Sequence, residues 1–283
     1  MKPVSEWEEK DIDDLYHGEI EESLTLEYKR SEALTKDPAH RKELFKDVSA
    51  MANASGGIIV YGMKEVDNKP DGTDDGLDPK VVTREQIENV LMSNIFPPVE
   101  GLLIKPVTLA SKGIGNVAYV LEVPAARSRG PHQAPDYRYY KRFNFKSEPI
   151  RDNDVRDLMR RGIEYGRKYG AALDLFVELS RISSASGARA TAGPMATYDM
   201  ERAIIGVSPD LRSAGAVLVL MSKYMRNAVA ELVVRVDSFN SMIESRGGSK
   251  VMLDESARKE LIYIRDLADE ICIDLRKILD QEP

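Results

Sequence analysis

Two segments roughly thirty residues apart do most to limit what this chain can become: Glu22-Ser-Leu-Thr-Leu-Glu27-Tyr-Lys29, and Asn53-Ala-Ser-Gly-Gly-Ile-Ile-Val-Tyr-Gly62-Met-Lys-Glu65. In the first, Leu24, Leu26 and Tyr28 alternate with Thr25, Glu27 and Lys29, the period-two spacing of a half-buried strand. Glu27 and Lys29 therefore share one face. The second segment leaves a helix through a glycine pair, enters an apolar run and places Glu65 just beyond that strand's end. Together they predict that Glu22, Glu27 and Glu65 meet Lys29 at one sheet edge. Residues 22 and 27 are five apart, so in one ideal strand they point to opposite faces. Convergence requires Glu22 in the turn before the strand, and His17-Gly18-Glu19 upstream supplies a chain reversal.

Carboxylates that converge cannot all stay ionised without a compensating cation, and oxygen ligands favour Mg²⁺ or Mn²⁺. A divalent ion beside a phosphodiester polarises the phosphoryl group and activates water, which is nuclease chemistry. Taken singly, Glu22 reads as a solvated residue of an acidic helix end, and Glu27 as a surface ion pair with Lys29 or Arg30, worth little. The Gly56-Gly57 pair suits a tight turn at a helix end. No Gly-x-x-x-x-Gly-Lys-Ser/Thr phosphate loop occurs in the sequence.

A net charge of −7 over 283 residues argues against nucleic acid as a sum, but its distribution does not. Arg127, Arg129, Arg138, Lys141, Arg142 and Lys146 gather around Tyr137, Tyr139, Tyr140, Phe143 and Phe145. Interleaved bases and aromatics suit phosphates and stacked nucleobases. The same alternation equally describes an amphipathic strand with aromatics in the core and charges in water. The three histidines, His17, His40 and His132, show no metal spacing, and His132 reads as part of a surface loop leading into the basic strand. A lone Cys272 leaves no internal disulfide framework, no stretch approaches the run of about 18 apolar residues that a membrane span needs, and the acidic N-terminus lacks a signal-peptide core. A reduced cytoplasm is the expected location.

The first 150 residues alternate helices and strands. Asp37-Pro38 predicts a helix start followed by the stripe Leu44, Phe45, Val48 and Met51, and Thr83-Arg-Glu-Gln86 is a capping box opening a second helix. Asp67 to Pro79 reads as a loop, Leu102 to Leu109 and Val117 to Val123 as a hairpin, and Arg138 to Phe143 as another strand. The expected class is α+β, with a domain over 1–150. Residues 151–283 read as an α-helical bundle for interaction or oligomerisation. Arg156 to Ile182 is predicted helical, Ser183 to Gly193 a flexible linker, and the stretch after Pro209 a long helix to Arg246. A last helix from about Asp254 carries Leu261, Ile264, Ala268, Ile271, Leu275 and Ile278 at bundle-seam spacing. A helix from Asp210 to Arg246 would reach about 55 Å, which favours self-association as a homodimer or higher oligomer. Its seam would be Leu211, Leu218, Met221, Met225, Leu232, Val236 and Phe239.

The N-terminal pattern resembles the Schlafen-type, Alba-like domain: Glu-Ser-x-x-x-Glu-Phe-Lys, a helix, Ala-x-Ala-Asn-x-x-Gly-Gly and a hydrophobic strand ending in Gly. Here Tyr28 stands for the Phe, and Ala50, Ala52, Asn53, Gly56, Gly57 and Gly62 fill the rest. Ile95-Phe96-Pro97-Pro98 and Tyr139-Tyr140-Lys141-Arg142 match two further elements, so the resemblance spans roughly residues 10–160. It implies a metal-dependent endoribonuclease that cuts transfer RNA or similarly structured RNA, a defence or stress role, and an acidic trio at Glu22, Glu27 and Glu65, with Glu65 where the family's nucleases have Asp. A non-catalytic nucleic-acid-binding module is the competing class. Glu27-x-Lys29 also matches the short Glu-x-Lys element of restriction-type nucleases, which would change the substrate to DNA.

Overall fold

The structure is a computed structural model describing residues 2–113, 115–127, 129–193, 196–213 and 222–280. The chain divides into two compact units between Tyr165 and Gly166. The first holds α1 (Glu9–His17), β1 (Leu26–Lys29), α2 (Pro38–Ala52), β2 (Gly57–Tyr61), β3 (Met63–Val66), β4 (Lys69–Thr73), α3 (Arg84–Asn94), β5 (Leu103–Thr108), β6 (Val117–Val123), β7 (Tyr140–Phe143) and β8 (Lys146–Pro149), and the start of α4 (Asp152–Thr191). The fold is the expected α+β class. Both predicted helix starts are present: the Asp37 carboxylate accepts from the N–H groups of Ala39 and His40, and Thr83 with Gln86 forms a reciprocal capping box.

Strands β1, β2, β6 and β5 form one sheet in that order, with β1 parallel to β2 and the other pairs antiparallel. Both faces are covered. Ile59, Tyr61, Tyr119 and Leu121 pack against Leu44, Val48 and Met51 of α2 and Leu91 of α3, whereas Leu26, Tyr28, Val60 and Val120 pack with Trp7, Ile12 and Leu15. β1 is consequently shorter and more enclosed than a half-buried strand. Leu24 lies in the turn before it, exposed, and Glu27 is buried on the α2 side. The stretch 67–79 is not all loop either: Asp67 and Asn68, both at positive φ, turn β3 into the antiparallel partner β4. Their side chains tolerate that left-handed backbone, so the turn forms without glycine at its centre.

The glycine pair is required by close approach. A Cβ on Gly57, at φ +150°, would lie 2.3 Å from the Thr25 carbonyl oxygen, and one on Gly56 would meet the backbone of Val123 and Ala125 at 2.6 Å. Gly57→Ala is expected to destabilise the first unit by about 3 kcal/mol or more, read as a lower denaturation midpoint. An unchanged midpoint would mean that β1 and β2 are not this close.

The second unit contains the rest of α4, then β9 (Thr197–Asp199), α5 (Met200–Ala203), α6 (Pro209–Ser213), α7 (Lys223–Ser245), β10 (Lys250–Met252) and α8 (Glu255–Leu279). It is helical as expected, apart from the short antiparallel pair β9–β10. Three expectations change. Ser183 to Thr191 is helix, because its small residues form a close-packed face: Ser186 is buried, the Ser183 hydroxyl donates to Asp269 at 2.6 Å, and Gly187 lies against Arg265 of α8. Pro209 to Arg246 is not one helix, since Ser222 has extended backbone and its side chain accepts from the Met225 N–H as the N-cap of α7. Lastly, the seams of the two long helices are used within the chain. Leu211, Met225, Leu232, Val236 and Phe239 share one core with Leu261, Ile264, Ala268, Ile271 and Leu275. Leu218, Met221 and the Ile278 side chain lie outside the described residues. No helix among those described is long and apolar enough to cross a membrane.

Candidate functional site

The site is built beside β1, where α2 packs directly against the β7–β8 hairpin. Before β1 the chain reverses: the Ser23 N–H donates to the Leu26 carbonyl at 3.0 Å and the Thr25 N–H to the Ser23 hydroxyl at 3.2 Å. Glu22 precedes that turn, its own N–H donating to the Asn68 carbonyl at 2.8 Å. Its carboxylate accepts the Tyr28 N–H at 2.8 Å and is buried. Burial pushes its pKa up, the Tyr28 N–H and the charge of Lys29 oppose that, and nearby Glu65 adds to the rise.

Glu27 and Lys29 share a face and pair directly, as the alternation implied. The other Glu27 oxygen pairs with Arg142 of β7. Arg142 is 2% exposed; its Nε donates to the Ser23 carbonyl at 2.8 Å and its Nη2 to the Leu26 carbonyl at 3.1 Å. A side chain expected to hold phosphate is thus the clamp that closes the β1 turn. Glu65 lies exposed on β3 and accepts the Asn68 N–H at 2.7 Å, bracing its own hairpin.

Asp47 belongs to the site and was not singled out from sequence. It stands on the inner face of α2, 5% exposed, with Oδ2 3.9 Å from the Lys29 ammonium and no hydrogen-bond partner on that oxygen. The signal was present: Asp47 is three residues after Leu44 and four before Met51, a carboxylate inside the helix's apolar stripe. Burial is the main cause pushing its pKa up, partly offset by the charges of Lys29 and Lys46. Because the folded-state pKa exceeds the unfolded one, Asp47 contributes stability fully present below the unfolded pKa and lost as pH rises through the folded pKa. Asp47→Asn should therefore denature at a higher midpoint than the parent at pH 7, with the gap closing toward acid. A gap that stays constant across pH would show that Asp47 is ionised without penalty.

Glu27, Lys29, Asp47 and Arg142 line a cavity of about 310 Å³ together with Lys46, Phe145, Lys146, Ser147 and Glu148; Glu22 and Glu65 do not border it. Of the six bases named from sequence, Arg142 and Lys146 border it; Lys29 and Lys46 supply its other cations. Arg127 stacks over Tyr165 at 5.9 Å, exposed Arg129 pairs with Glu100, Lys141 lies over the Phe143 ring at 5.7 Å, and Arg138 is exposed. His132 is buried rather than on a surface loop, with its Nδ1 2.7 Å from the Pro97 carbonyl, and burial lowers its pKa. Asn53 explains the motif around it. Its carboxamide accepts the His132 N–H at 2.7 Å and donates to the carbonyls of His132 and Tyr140, at 2.8 and 2.9 Å, fixing the end of α2 to the segment that carries β7.

A divalent ion needs oxygen ligands facing one point. Among the described residues no group of three or more His, Cys, Asp or Glu is arranged to hold a metal. Glu22 and Glu65 each accept a backbone N–H, and Glu27 is held between Arg142 and Lys29. In this arrangement the trio does not fit Mg²⁺ or Mn²⁺. What the cavity offers is the cations Lys29, Lys46, Arg142 and Lys146, with Lys29 and Arg142 held by the buried Glu27 carboxylate, an environment suited to an anion.

A mixed four-stranded sheet with helices on it and a basic hairpin beside its first strand defines the class. Residues 22–151 match the sequence model of the family described as Schlafen, AlbA_2, and this stretch is a Schlafen-type domain. The family points to a nucleic-acid-binding or nuclease-like function. No curated protein matches the chain. The crystal structure of the DIP2311 protein from Corynebacterium diphtheriae aligns with 53% of this chain at 14% identity and a TM-score of 0.36, and the aligned part is 28% of that protein's chain.

Proposed function

We propose that the Schlafen-type domain binds RNA, with structured RNA such as transfer RNA the leading class, and that it takes a backbone phosphate in the cavity between β1, α2 and the β7–β8 hairpin. The observation that supports this is the set Lys29, Lys46 and Lys146 around one opening, with Phe145 on its wall. Glu27 and Asp47 do not repel an entering phosphate as free carboxylates would. Glu27 is paired with Arg142 and Lys29, and burial favours the neutral form of Asp47. Lys29, held by Glu27, is then a fixed point charge for a phosphate oxygen.

Cleavage is a second reading, favoured by the Lys29 ammonium on the lining of that cavity. Attack of a ribose 2′-hydroxyl on phosphorus forms the 2′-O–P bond and breaks the P–O5′ bond, the hydroxyl proton passing to water or to the exposed Glu148 carboxylate on the cavity lining. The leaving oxygen needs a proton, and the Lys29 ammonium, which lines the cavity, would give it. The products are a 2′,3′-cyclic phosphate and a 5′-hydroxyl end. Total transfer RNA incubated with the protein, with Mn²⁺, without added metal and with chelator, tests both readings. The expected result is salt-sensitive binding, with any cleavage persisting in chelator. Cleavage that chelator abolishes would return the chemistry to a metal-assembled Glu22, Glu27 and Glu65, and failure to bind any RNA would overturn the function.

A further inference from the structure

Phe96 and Tyr137 are the most exposed large hydrophobic side chains among the described residues, at 74% and 84%. One residue braces both. The Phe96 N–H donates to the Gln133 carbonyl at 2.9 Å, the Gln133 N–H to the Phe96 carbonyl at 2.7 Å, and the Gln133 side-chain amide to the Tyr137 carbonyl at 2.8 Å. Tyr137 sits in a tight turn, its N–H donating to the Ala134 carbonyl at 2.9 Å, with φ at +63°. That left-handed backbone suits Gly or Asn and disfavours a bulky aromatic residue. The fold therefore holds this ring in solvent on an unfavourable backbone, and the ring joins no core. Strained positions of this kind cluster where a side chain meets a ligand.

The chemistry around the rings selects the ligand. Arg138 is exposed next to Tyr137, and the adjacent Asp136 carboxylate accepts the Arg138 N–H at 3.2 Å and the Tyr140 hydroxyl at 2.6 Å. Flat exposed rings beside Gln133 and Arg138 suit planar bases on a phosphate backbone better than an apolar protein face. We infer that Phe96 and Tyr137 form a stacking platform for unpaired nucleobases, with Arg138 meeting the adjoining phosphate. This rests on the proposal that the domain binds RNA, and it narrows the substrate to RNA that presents single-stranded bases.

The test uses the full chain, a single-stranded oligoribonucleotide, and an abasic strand of the same length, with Phe96→Ala, Tyr137→Asn and Tyr137→Phe. Removing one stacking ring should weaken binding of the base-bearing strand about tenfold and leave the salt slope unchanged. The abasic strand should not distinguish these variants from the parent. Tyr137→Phe should keep parental affinity. Tyr137→Asn should lose affinity without a lower denaturation midpoint, because Asn accepts the left-handed turn, a split that a purely structural tyrosine would not produce. Parental affinity in both ring-deleted variants, or an equal loss on the abasic strand, overturns the platform. The outcomes separate the two proposals: RNA binding that depends on Lys46 and ignores both rings overturns the platform alone, whereas no binding of any RNA overturns both.

Discussion

Arg142→Ala should lower the stability of the first unit by about 3–5 kcal/mol, the cost typical of removing one partner from a buried ion pair. The substitution leaves Glu27 buried without its guanidinium, and also deprives the Ser23 and Leu26 carbonyls of donors at 2.8 and 3.1 Å. Arg142→Lys should recover only part of the loss, because an ammonium cannot present the three directed N–H groups that the fork provides. Chemical denaturation followed by a probe in the first unit measures this. A loss below about 1 kcal/mol is the range of a surface pair and would contradict the burial. A collapse of RNA binding in Arg142→Ala would then be a folding effect. Binding has to be tested at residues that do not hold the fold.

Lys46 and Lys146 are those residues, since Lys46 is only partly covered and Lys146 is exposed. Replacing both with Ala, and Lys29 with Gln, should weaken RNA binding about a hundredfold near physiological salt. The slope of log affinity against log salt should fall by about 0.7–0.9 for each phosphate contact removed, whatever the RNA sequence. Lys46→Ala with Lys146→Ala should leave the denaturation midpoint near the parental value. An unchanged salt slope in the triple variant would place the phosphate elsewhere on the domain, with exposed Arg138 the next position to test.

Much of the fold and part of the site were legible because they depend on local rules. Asp37 and Thr83 announced their helices through caps satisfied within four residues. The apolar runs around the 103–123 hairpin and the motif from Glu22 to Gly62 identified the domain, which the match over residues 22–151 supports. The pairing of Glu27 with Lys29 followed from the two-residue repeat of a strand. Errors arose where small or polar residues have two meanings. Ser, Ala and Gly at 183–191 suggested a linker and prove to be a helix face that admits α8 closely. Ser222, one polar residue in a long helical pattern, is the N-cap of α7.

The sequence alone determined the class of each half, the presence of a Schlafen-type domain and the face shared by Glu27 and Lys29. Only the tertiary structure decided what the charges do. Arg142 and Glu27 are 115 residues apart, and nothing in either's neighbours says that they meet. With both faces of the sheet covered, β1 lies between two cores, so Glu27 must be neutralised where it is buried, and the nearest long cation is the one on β7. The same enclosure turns Asp47 inward toward Lys29 and leaves Glu65 to brace its own turn. Burial, which composition and spacing do not specify, separates a carboxylate that serves the fold from one that lines a site.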